Sequence, residues 1–330
     1  MNRALGYLAS TSIAFALLCG PAAAKFILFQ VPGATSTFPQ AITNSGDVVG
    51  QFGDQFGTHG FIRTRDGTFA TFDVPGATAT VPTAINLDGT VVGWHLVQTD
   101  KGTAQLGFIR APDGEITEFQ ALNASRHTVP IAITNRGWIA GTGQVNFKEG
   151  LPFGFLRKPN GHVTRLGDGL VVRCANATHT TAGQLYDGSQ WHGFVRTPDG
   201  AIAKFDPNGG SGTAVNAIND AGTATGNSQV GAVSVGFIRA ADGTLSTFVP
   251  AADAEIVGPG SINKTGAIAG GYADEHGVSH GFVRAADGTI TIIDAPQPST
   301  GTGLSSINDK GQATGIFFVN GKTQGLIWKP

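Results

Sequence analysis

Residues 59–68 read HGFIRTRDGT, and this stretch decides the fold because the chain repeats it. The Gly-Phe pair of this stretch recurs in six copies and is Gly-Leu in a seventh, at successive spacings of 47, 47, 39, 43, 45 and 44 residues. Self-similarity at such a period predicts a repeat architecture. The seven pairs begin at Gly60, Gly107, Gly154, Gly193, Gly236, Gly281 and Gly325.

Each copy reads as four short strands, which we name a to d in chain order. In the second copy, strand a ends near Asn86, a tight turn closes with Gly89, and strand b follows at residues 90–93. Strand c carries the Gly-Phe pair, and an Asp-Gly turn leads to strand d, as at residues 68–73 of the first copy. Four antiparallel strands in about 45 residues form one propeller blade. The sequence therefore predicts an all-β fold, a seven-bladed β-propeller with four-stranded blades.

Each end of the chain carries an incomplete repeat, and each end has the strand that the other lacks. Residues 26–34 match residues 69–77 and form a lone strand d, whereas residues 325–330 form a strand c with no strand d after it. Because an unpaired edge strand invites aggregation, we expect the N-terminal strand to complete the last blade and close the ring. An open β-solenoid is the alternative fold, and it predicts capping segments at both ends.

Residues 1–24 have the pattern of a secretory signal peptide. Arg3 supplies a positive start, residues 4–19 are apolar or small, and residues 20–24 end in a small-residue cleavage site. We therefore predict a signal peptide at 1–24 and a single β-propeller domain of seven repeats at 25–330, exported to the periplasm or beyond. A retained anchor and a lipoprotein linked through Cys19 are the alternatives. No membrane span is expected after cleavage, because spanning takes about 20 apolar residues.

Charge and cysteine content indicate which partners, cross-links and cofactors are not expected. The formal charge of −2 becomes −3 when Arg3 is removed, and no Lys/Arg cluster is present. A nucleic-acid partner is therefore not expected. Cys174 remains as the one cysteine, so stability must come from packing rather than from an internal disulfide. No His/Cys/carboxylate spacing predicts a metal site, and no cofactor is expected.

The repeat resembles a known family. The pattern HGF[IV]RxxDGT, followed by FDVPGA and AINxxGxxxG, is similar to the bacterial "extracellular repeat, HAF family" proteins. His59-Gly60-Phe61 and His280-Gly281-Phe282 stand at the place of the name-giving triplet of that family, with Gly in place of Ala. The resemblance covers residues 25–330 and implies export and a repeat fold. It implies no activity.

Residues that recur in the repeats are most simply explained as scaffold. His59, His192 and His280 precede the Gly-Phe pair in three copies, and an Asp recurs in the c–d turn. An arginine taken alone suits a carboxylate or sugar clamp, but six arginines in equivalent places predict equivalent structural contacts. These are Arg63, Arg110, Arg157, Arg196, Arg239 and Arg284.

The connections between strands indicate where a ligand would bind. The a–b and c–d turns share one end of every blade and are short, whereas the b–c and d–a connections share the other end and vary. Binding residues concentrate on variable loops held by a rigid scaffold. The candidate ligand-binding residues on this long-loop face are Trp94, His95, Asp187, Trp191, Tyr272, Asp274 and His276.

The fourth copy departs most from the repeat. Arg173 is the only charge at its position among the seven copies, and the a–b turn ends in His179 where the others have Gly. If this copy is functional, Arg173, Tyr186, His127 and Arg126 are the candidate catalytic residues of a carbohydrate-active enzyme, with Arg neutralising a uronate and Tyr or His acting as base. The leading prediction is instead a non-enzymatic scaffold that binds a glycan or another exported protein, because no complete catalytic set is visible. The oligomeric state is left open.

Overall fold

The computed structural model describes residues 25–100, 102–122, 126–145 and 150–330. The expected signal peptide at residues 1–24 lies outside this part. The described residues form 28 β-strands and one 3-10 helix at Pro207–Gly209. No helix in the described part of the chain is long and apolar enough to cross a membrane.

The strands follow the repeat from one end of the chain to the other. Strand β1 covers Lys25–Phe29, and each repeat then adds strands a to d, except that the seventh adds only a to c. Repeats one and two contain β2 Ser36–Ile42, β3 Val48–Gly53, β4 Thr58–Arg63, β5 Phe69–Phe72, β6 Ala79–Ile85, β7 Val91–Thr99, β8 Gly102–Arg110 and β9 Ile116–Phe119. Repeats three and four contain β10 His127–Ile133, β11 Ile139–Gln144, β12 Phe153–Arg157, β13 Val163–Asp168, β14 Leu170–Ala175, β15 Thr181–Tyr186, β16 Trp191–Arg196 and β17 Ile202–Phe205. Repeats five to seven contain β18 Ser211–Ile218, β19 Ala224–Val230, β20 Val233–Arg239, β21 Leu245–Phe248, β22 Ala254–Ile262, β23 Ile268–Asp274, β24 Ser279–Arg284, β25 Ile290–Ile293, β26 Gly301–Ile307, β27 Ala313–Val319 and β28 Lys322–Lys329.

Strands within a repeat pair antiparallel in chain order. Repeats four, five and six are separate four-stranded sheets, and β1 pairs with β28 to give a fourth such sheet from both ends of the chain. Repeats one to three differ from the expected separate blades because they form one 12-stranded sheet. Two single parallel bridges, Thr58 to Ala79 and Gln105 to His127, join them. The start of strand a lies close enough to strand c of the preceding repeat for the backbones to pair there.

The Gly-Phe pair builds the core of each repeat. Phe61 is fully buried, as are its counterparts in repeats two to six. A Cβ atom on Gly60 would lie 2.7 Å from the ring of Phe72, which belongs to strand d of the same repeat. Only glycine allows that aromatic ring to lie flat on strand c. The pair is therefore required by packing on both sides of the strand.

The recurring arginine connects neighbouring repeats. The guanidinium of Arg110 lies 5.0 Å from the ring centre of Phe72 in the preceding repeat, and Arg63 lies 5.0 Å from that of Phe29 in β1. An Nη1 group also donates to the next backbone carbonyl, as from Arg110 to Ala111 at 3.3 Å. These contacts agree with the predicted structural role, since a cation over an aromatic face is stabilising.

Every strand a contains a β-bulge at the same position. The pairing with strand b shifts there, for example between Pro39 and Ala41. A proline precedes the bulge in four repeats. Proline has no backbone N–H, and it is tolerated beside a bulge because the regular hydrogen bonding between the strands is already interrupted there. The bulge residues are Gln40, Thr83, Ile131, Arg173, Asn216, Gly260 and Ser305.

Hydrogen bonds run from repeat to repeat at the ends of strand a. The side chain of Asn219 donates to the carbonyl of Asn263 at 3.1 Å, and Asn263 donates to that of Asn308 at 3.0 Å. Asn308 donates in turn to the carbonyl of Thr43 in the first repeat at 2.9 Å. Strand β2 also contacts β26, β27 and β28. The first and the seventh repeats are therefore direct neighbours.

The connections at the variable end are shorter than the sequence predicts. Six of the seven b–c connections have four residues or fewer, because strands b and c continue their pairing outward. In repeat two, β7 and β8 reach nine residues each. The expected long irregular loops are thus mostly hairpins, and we call this end of the repeats the hairpin face. The opposite end, formed by the a–b and c–d turns, is the turn face.

Candidate functional site

The centre of the turn face holds a polar cavity of about 340 Å³. Equivalent residues at the ends of strand a in six repeats line it, among them Asn219, Asn263 and Asn308. Their amides are already used in the hydrogen bonds between repeats. Asp309 likewise accepts from Asn44 at 2.9 Å and from the backbone of Lys264 at 3.0 Å. The polar groups here hold the scaffold together, so this cavity is a weak candidate for a ligand site.

The hairpin face exposes apolar side chains instead. Phe56 is 81% exposed and Ile256 is 63% exposed. Contiguous exposed apolar surface is typical of interaction sites. Seven of the twelve exposed large apolar side chains in the described residues lie on this face, namely Phe56, Val145, Leu151, Val233, Val249, Ile256 and Val278.

A cavity of about 340 Å³ opens on the hairpin face between repeats six and seven. We call it the slot. Tyr272 and His280 of repeat six and Ile316 and Phe318 of repeat seven form its walls. The remaining lining residues are Ile256, Gly258, Gly271, Ala273, Ser279, Thr302 and Gly303. Most of this lining is apolar, with a few polar groups toward one end, which is the usual make-up of a small-molecule site.

Missing side chains create the slot. One cross-strand pair of strands a and b stands at the same place in every repeat, and in repeat six it is Gly258 with Gly271. The same pair is Phe38–Gln51, Val81–Trp94, Val129–Thr142, Val171–Gln184, Ala214–Asn227 and Gly303–Ile316 in the other repeats. A Cβ atom on Gly303 would have its nearest neighbour at 3.9 Å, the side chain of Ile316. Gly303 and Gly258 therefore leave open space, whereas a Cβ atom on Gly271 would lie 3.3 Å from the backbone oxygen of His280.

Two carboxylates and a histidine stand at the outer end of the slot. The Nδ1 atom of His280 lies 2.9 Å from Asp294 Oδ1, and its Nε2 atom lies 3.5 Å from Asp274 Oδ2. The ring of Tyr272 stacks on that of His280, with ring centres 4.9 Å apart. Burial opposes protonation of the imidazole, but Asp294 and Asp274 outweigh it and raise the pKa of His280. Burial, with the nearby carboxylates, also raises the pKa of the Tyr272 phenol.

The same Asp–His–Asp arrangement recurs in two other repeats. In repeat one His59 lies between Asp54 and Asp73, and in repeat four His192 lies between Asp187 and Asp206. The hydrogen bond from Asp206 is the largest cause that raises the pKa of His192. Recurrence agrees with the scaffold role predicted for these histidines. Asp187 and Asp274, two of the ligand-binding candidates, are therefore held by histidines of their own repeats.

The candidates of repeat two lie inside the fold. His95 is only 1% exposed, and its Nε2 atom lies 3.1 Å from Glu118 Oε2. Burial lowers the pKa of His95, although Glu118 acts in the opposite direction. Trp94 is half-buried opposite Val81. In repeat six, the backbone N–H of His276 donates to Asp274 at 2.9 Å in the hairpin, beside the slot.

The candidates of repeat four are spread along the strands. Arg173 is the bulge residue, and its guanidinium donates to Gln184 Oε1 at 2.9 Å. Tyr186 lies three residues beyond Gly183, the partner of Val172, which is about 10 Å along the strand. Its ring lies 5.3 Å from that of Trp191. Arg173 and Tyr186 thus have separate partners and face different parts of the fold.

The remaining catalytic candidates, Arg126 and His127, lie at the start of the first strand of repeat three. Arg126 donates from Nη2 to the carbonyl of Thr103 in repeat two at 3.0 Å. His127 begins β10, opposite Gln144, and burial lowers its pKa. Arg126 is therefore used to join repeats two and three rather than held free for a substrate.

The slot contains only one residue, Tyr272, that the sequence singled out as a ligand-binding candidate. The signal for the slot was present, because Gly258, Gly271 and Gly303 replace residues that carry side chains in most repeats. Glycine is so frequent in this repeat that these three additional glycines do not stand out in the sequence. Identifying these three required the strand register.

Comparisons with known proteins support the fold type. No protein-family model matches the chain, and no curated protein matches it. A streptogramin B lyase structure is similar with a TM-score of 0.60 and 14% identity, over 93% of this chain and 98% of that one. An inactive virginiamycin B lyase from Staphylococcus aureus, solved with quinupristin, has a TM-score of 0.59 and 14% identity, over 92% and 99% of the two chains. A prolyl endopeptidase structure has a TM-score of 0.63 and 12% identity, over 89% of this chain and 50% of that one. At such identities the similarity shows the fold alone: an all-β repeat fold of the β-propeller type.

Proposed function

We propose that the chain is a seven-bladed β-propeller, closed by β1, that serves as a non-enzymatic binding scaffold and takes its ligand in the slot on the hairpin face. Residues 25–330 form its single domain. The observation that carries the proposal is the Gly258–Gly271 pair, which opens an apolar cavity at a position where other repeats place side chains.

Contacts between the ends of the chain support closure. β1 pairs with β28 over five residues, while Phe29 of β1 packs with Phe61 and lies beneath Arg63 of repeat one. The hydrogen bond from Asn308 to Thr43 joins repeat seven to repeat one in the manner seen between other repeats. Such contacts leave few free strand edges, which is the advantage of radial repetition.

The distribution of polar groups supports binding rather than catalysis. Arg126, Arg173, Asp187 and Asp274 all have partners inside the scaffold. A general base has to reach the proton that it removes, and a clamp has to keep donors for its substrate. More than half of the large apolar side chains that remain exposed in the described residues lie on the hairpin face, which suits an interaction site.

A ligand screen followed by amide NMR spectra tests the proposed site. Fragments that bind should shift the amide signals of residues 256–258, 271–273 and 302–303. Gly303→Val should abolish these shifts because its methyl groups occupy the slot. Val129→Ile, which adds bulk at the equivalent position of repeat three, should leave them unchanged. Hits that map to the turn face, or that survive Gly303→Val, would contradict the proposal.

A turnover assay on acidic and neutral polysaccharides tests the absence of catalysis. We expect no product release. Product release that disappears in Arg173→Ala and Tyr186→Phe, with the fold intact by circular dichroism, would replace the scaffold proposal with a carbohydrate-active enzyme.

We also propose that the protein is exported and that it is a member of the HAF-type repeat proteins. The residue pattern of 1–24 and the repeated HGF[IV]R motif support both points. Mass spectrometry of the protein recovered from a cell expressing the full chain tests export: the mature N-terminus should be Lys25.

A further inference from the structure

The slot limits the size of what it holds. Its volume of about 340 Å³ lies at the small end of ligand cavities. The inner walls are the side chains of Ile316 and Phe318 and the backbone of Gly258, Gly271 and Gly303. A single aromatic ring or a short alkyl chain fits this lining, because burial of apolar surface provides the binding free energy.

The outer end of the slot is acidic. The segments that bound it are 249–258, 272–280, 294–303 and 316–323. Their carboxylates outnumber their basic groups by two even when both histidines are protonated. The acidic residues are Asp253, Glu255, Asp274, Glu275 and Asp294, and the basic residues are His276, His280 and Lys322.

Two of these carboxylates, Asp274 and Asp294, lie against His280 in the slot wall. The side chain of Asp294 is 52% exposed, although one of its oxygens contacts His280. The aromatic ring of Tyr272 lies beside them in the slot wall. A protonated amine is attracted both by partly buried carboxylates and by the face of a tyrosine ring. A carboxylate or phosphate at this place would meet like charge.

We propose that the slot binds a small ligand with an apolar body and a protonated amino group, the apolar part between repeats six and seven and the amine beside Asp294 and Tyr272. This inference rests on the proposed function and names the ligand class for the same site. The ligand is held without covalent change.

Three probes that share a phenylethyl group and differ in the charge of the end group test the inference. We would titrate 2-phenylethylammonium, neutral 2-phenylethanol and anionic 3-phenylpropionate into the full domain at pH 7 and follow the amide signals of the slot. The cation should bind about fivefold more tightly than the alcohol, as about 1 kcal/mol of charge-assisted bonding implies. The anion should bind more weakly than the alcohol.

Matched variants separate the charge from the cavity. Asp294→Asn should reduce the preference for the cation over the alcohol by about twofold or more. Asp73→Asn removes the equivalent carboxylate of repeat one, which also contacts a histidine but borders no slot, and should leave the preference unchanged. Gly303→Val should abolish binding of all three probes.

Each outcome is decisive. Equal binding of the cation and the alcohol, with both lost in Gly303→Val, would overturn the ligand class but leave the proposed site standing. Cation binding that survives Gly303→Val would overturn the site itself. No slot shift with any probe at millimolar concentration would overturn the ligand class, and the wider fragment screen would then decide the site.

Discussion

At the scale of the residue, the arginine of strand c lies over the aromatic ring of the preceding strand d in most repeats. Arg239 lies 5.3 Å from the ring centre of Phe205. In repeat four the preceding strand d offers Leu166 in place of Phe, so Arg196 has no ring at that position. In repeat seven Ile293 replaces the aromatic residue, and Trp328 replaces the arginine. The arginine is thus retained in repeat four without the ring, and both partners are replaced in repeat seven.

This difference gives a matched pair of variants. Arg239→Gln removes both the ring contact and the hydrogen bond to the next carbonyl, whereas Arg196→Gln removes only the hydrogen bond. We expect Arg239→Gln to lower the free energy of unfolding by about 0.5–1 kcal/mol more than Arg196→Gln does. Urea unfolding of the two variants measures it. Equal losses would mean that the ring contact adds nothing.

Cys174 should be chemically inert in the folded protein. It is buried, and burial raises the pKa of its thiol to about 12. Because the thiolate is the reactive form, a thiol reagent at pH 8 should label Cys174 only after denaturation. Rapid labelling of the folded chain would indicate a nucleophile where the structure has a small core residue.

At the scale of the element, the Asp–His–Asp group ties three strands of one repeat together. In repeat four Asp187 follows strand b, His192 lies in strand c and Asp206 follows strand d. The hydrogen bond to Asp206 raises the pKa of His192, so folding favours the protonated ring. Its stabilisation is complete below the unfolded-state value near 6.5 and is lost as the pH rises through the raised pKa.

The pH dependence of one variant checks this. His192→Gln should lower the free energy of unfolding more at about pH 5.5 than at about pH 8.5, since the charged contacts exist only at the lower pH. The exposed His162→Gln serves as the control and should show no such trend. A loss for His192→Gln that is constant with pH would mean that folding does not change the pKa of this histidine.

The fourth repeat shows how an irregular element is accommodated. His179 takes the left-handed backbone conformation, with φ of 66°, at a place where other turns have Gly. Its ring stacks on that of Trp138 in repeat three at a centre distance of 4.0 Å. This contact with the neighbouring turn offers a structural reason for the His, because stacking offsets part of the backbone strain. The irregular turn therefore needs no ligand to explain it.

Spacing predicted the strands and their order better than it predicted the site. The Gly-Phe pair and the Asp-Gly turns mark the strands because each has a local cause, close packing or a tight turn. The bulge at Arg173 and the hairpin extension of β7 depend on pairing between strands, which local residue patterns do not reveal. The slot depends on Gly271 and Gly303 lying side by side across two repeats, so it appears only after the repeats are placed together.

At the scale of the whole molecule, seven similar units leave one face for variation. The turn face is held by side chains such as Asn263 and Asn308, which bond from repeat to repeat and leave little freedom. Among the described residues of the hairpin face, bonds between repeats, such as that from Arg126 to Thr103, join single pairs of repeats and do not continue from one repeat to the next. The proposed closed ring would separate stability from recognition, and it depends on the join between repeats seven and one.

The stability of the domain with and without its first strand tests that join most directly. Residues 25–330 and residues 35–330 would be unfolded in urea under the same conditions. Loss of β1 and the following turn removes the buried side chains of Phe29, Val31 and Ala34 and exposes β28. We expect the shorter protein to lose about 5 kcal/mol or more of unfolding free energy, or to fail to fold, because burying each large apolar side chain contributes about 1.5–3 kcal/mol. An unchanged unfolding midpoint for residues 35–330 would contradict a propeller closed by its N-terminal strand.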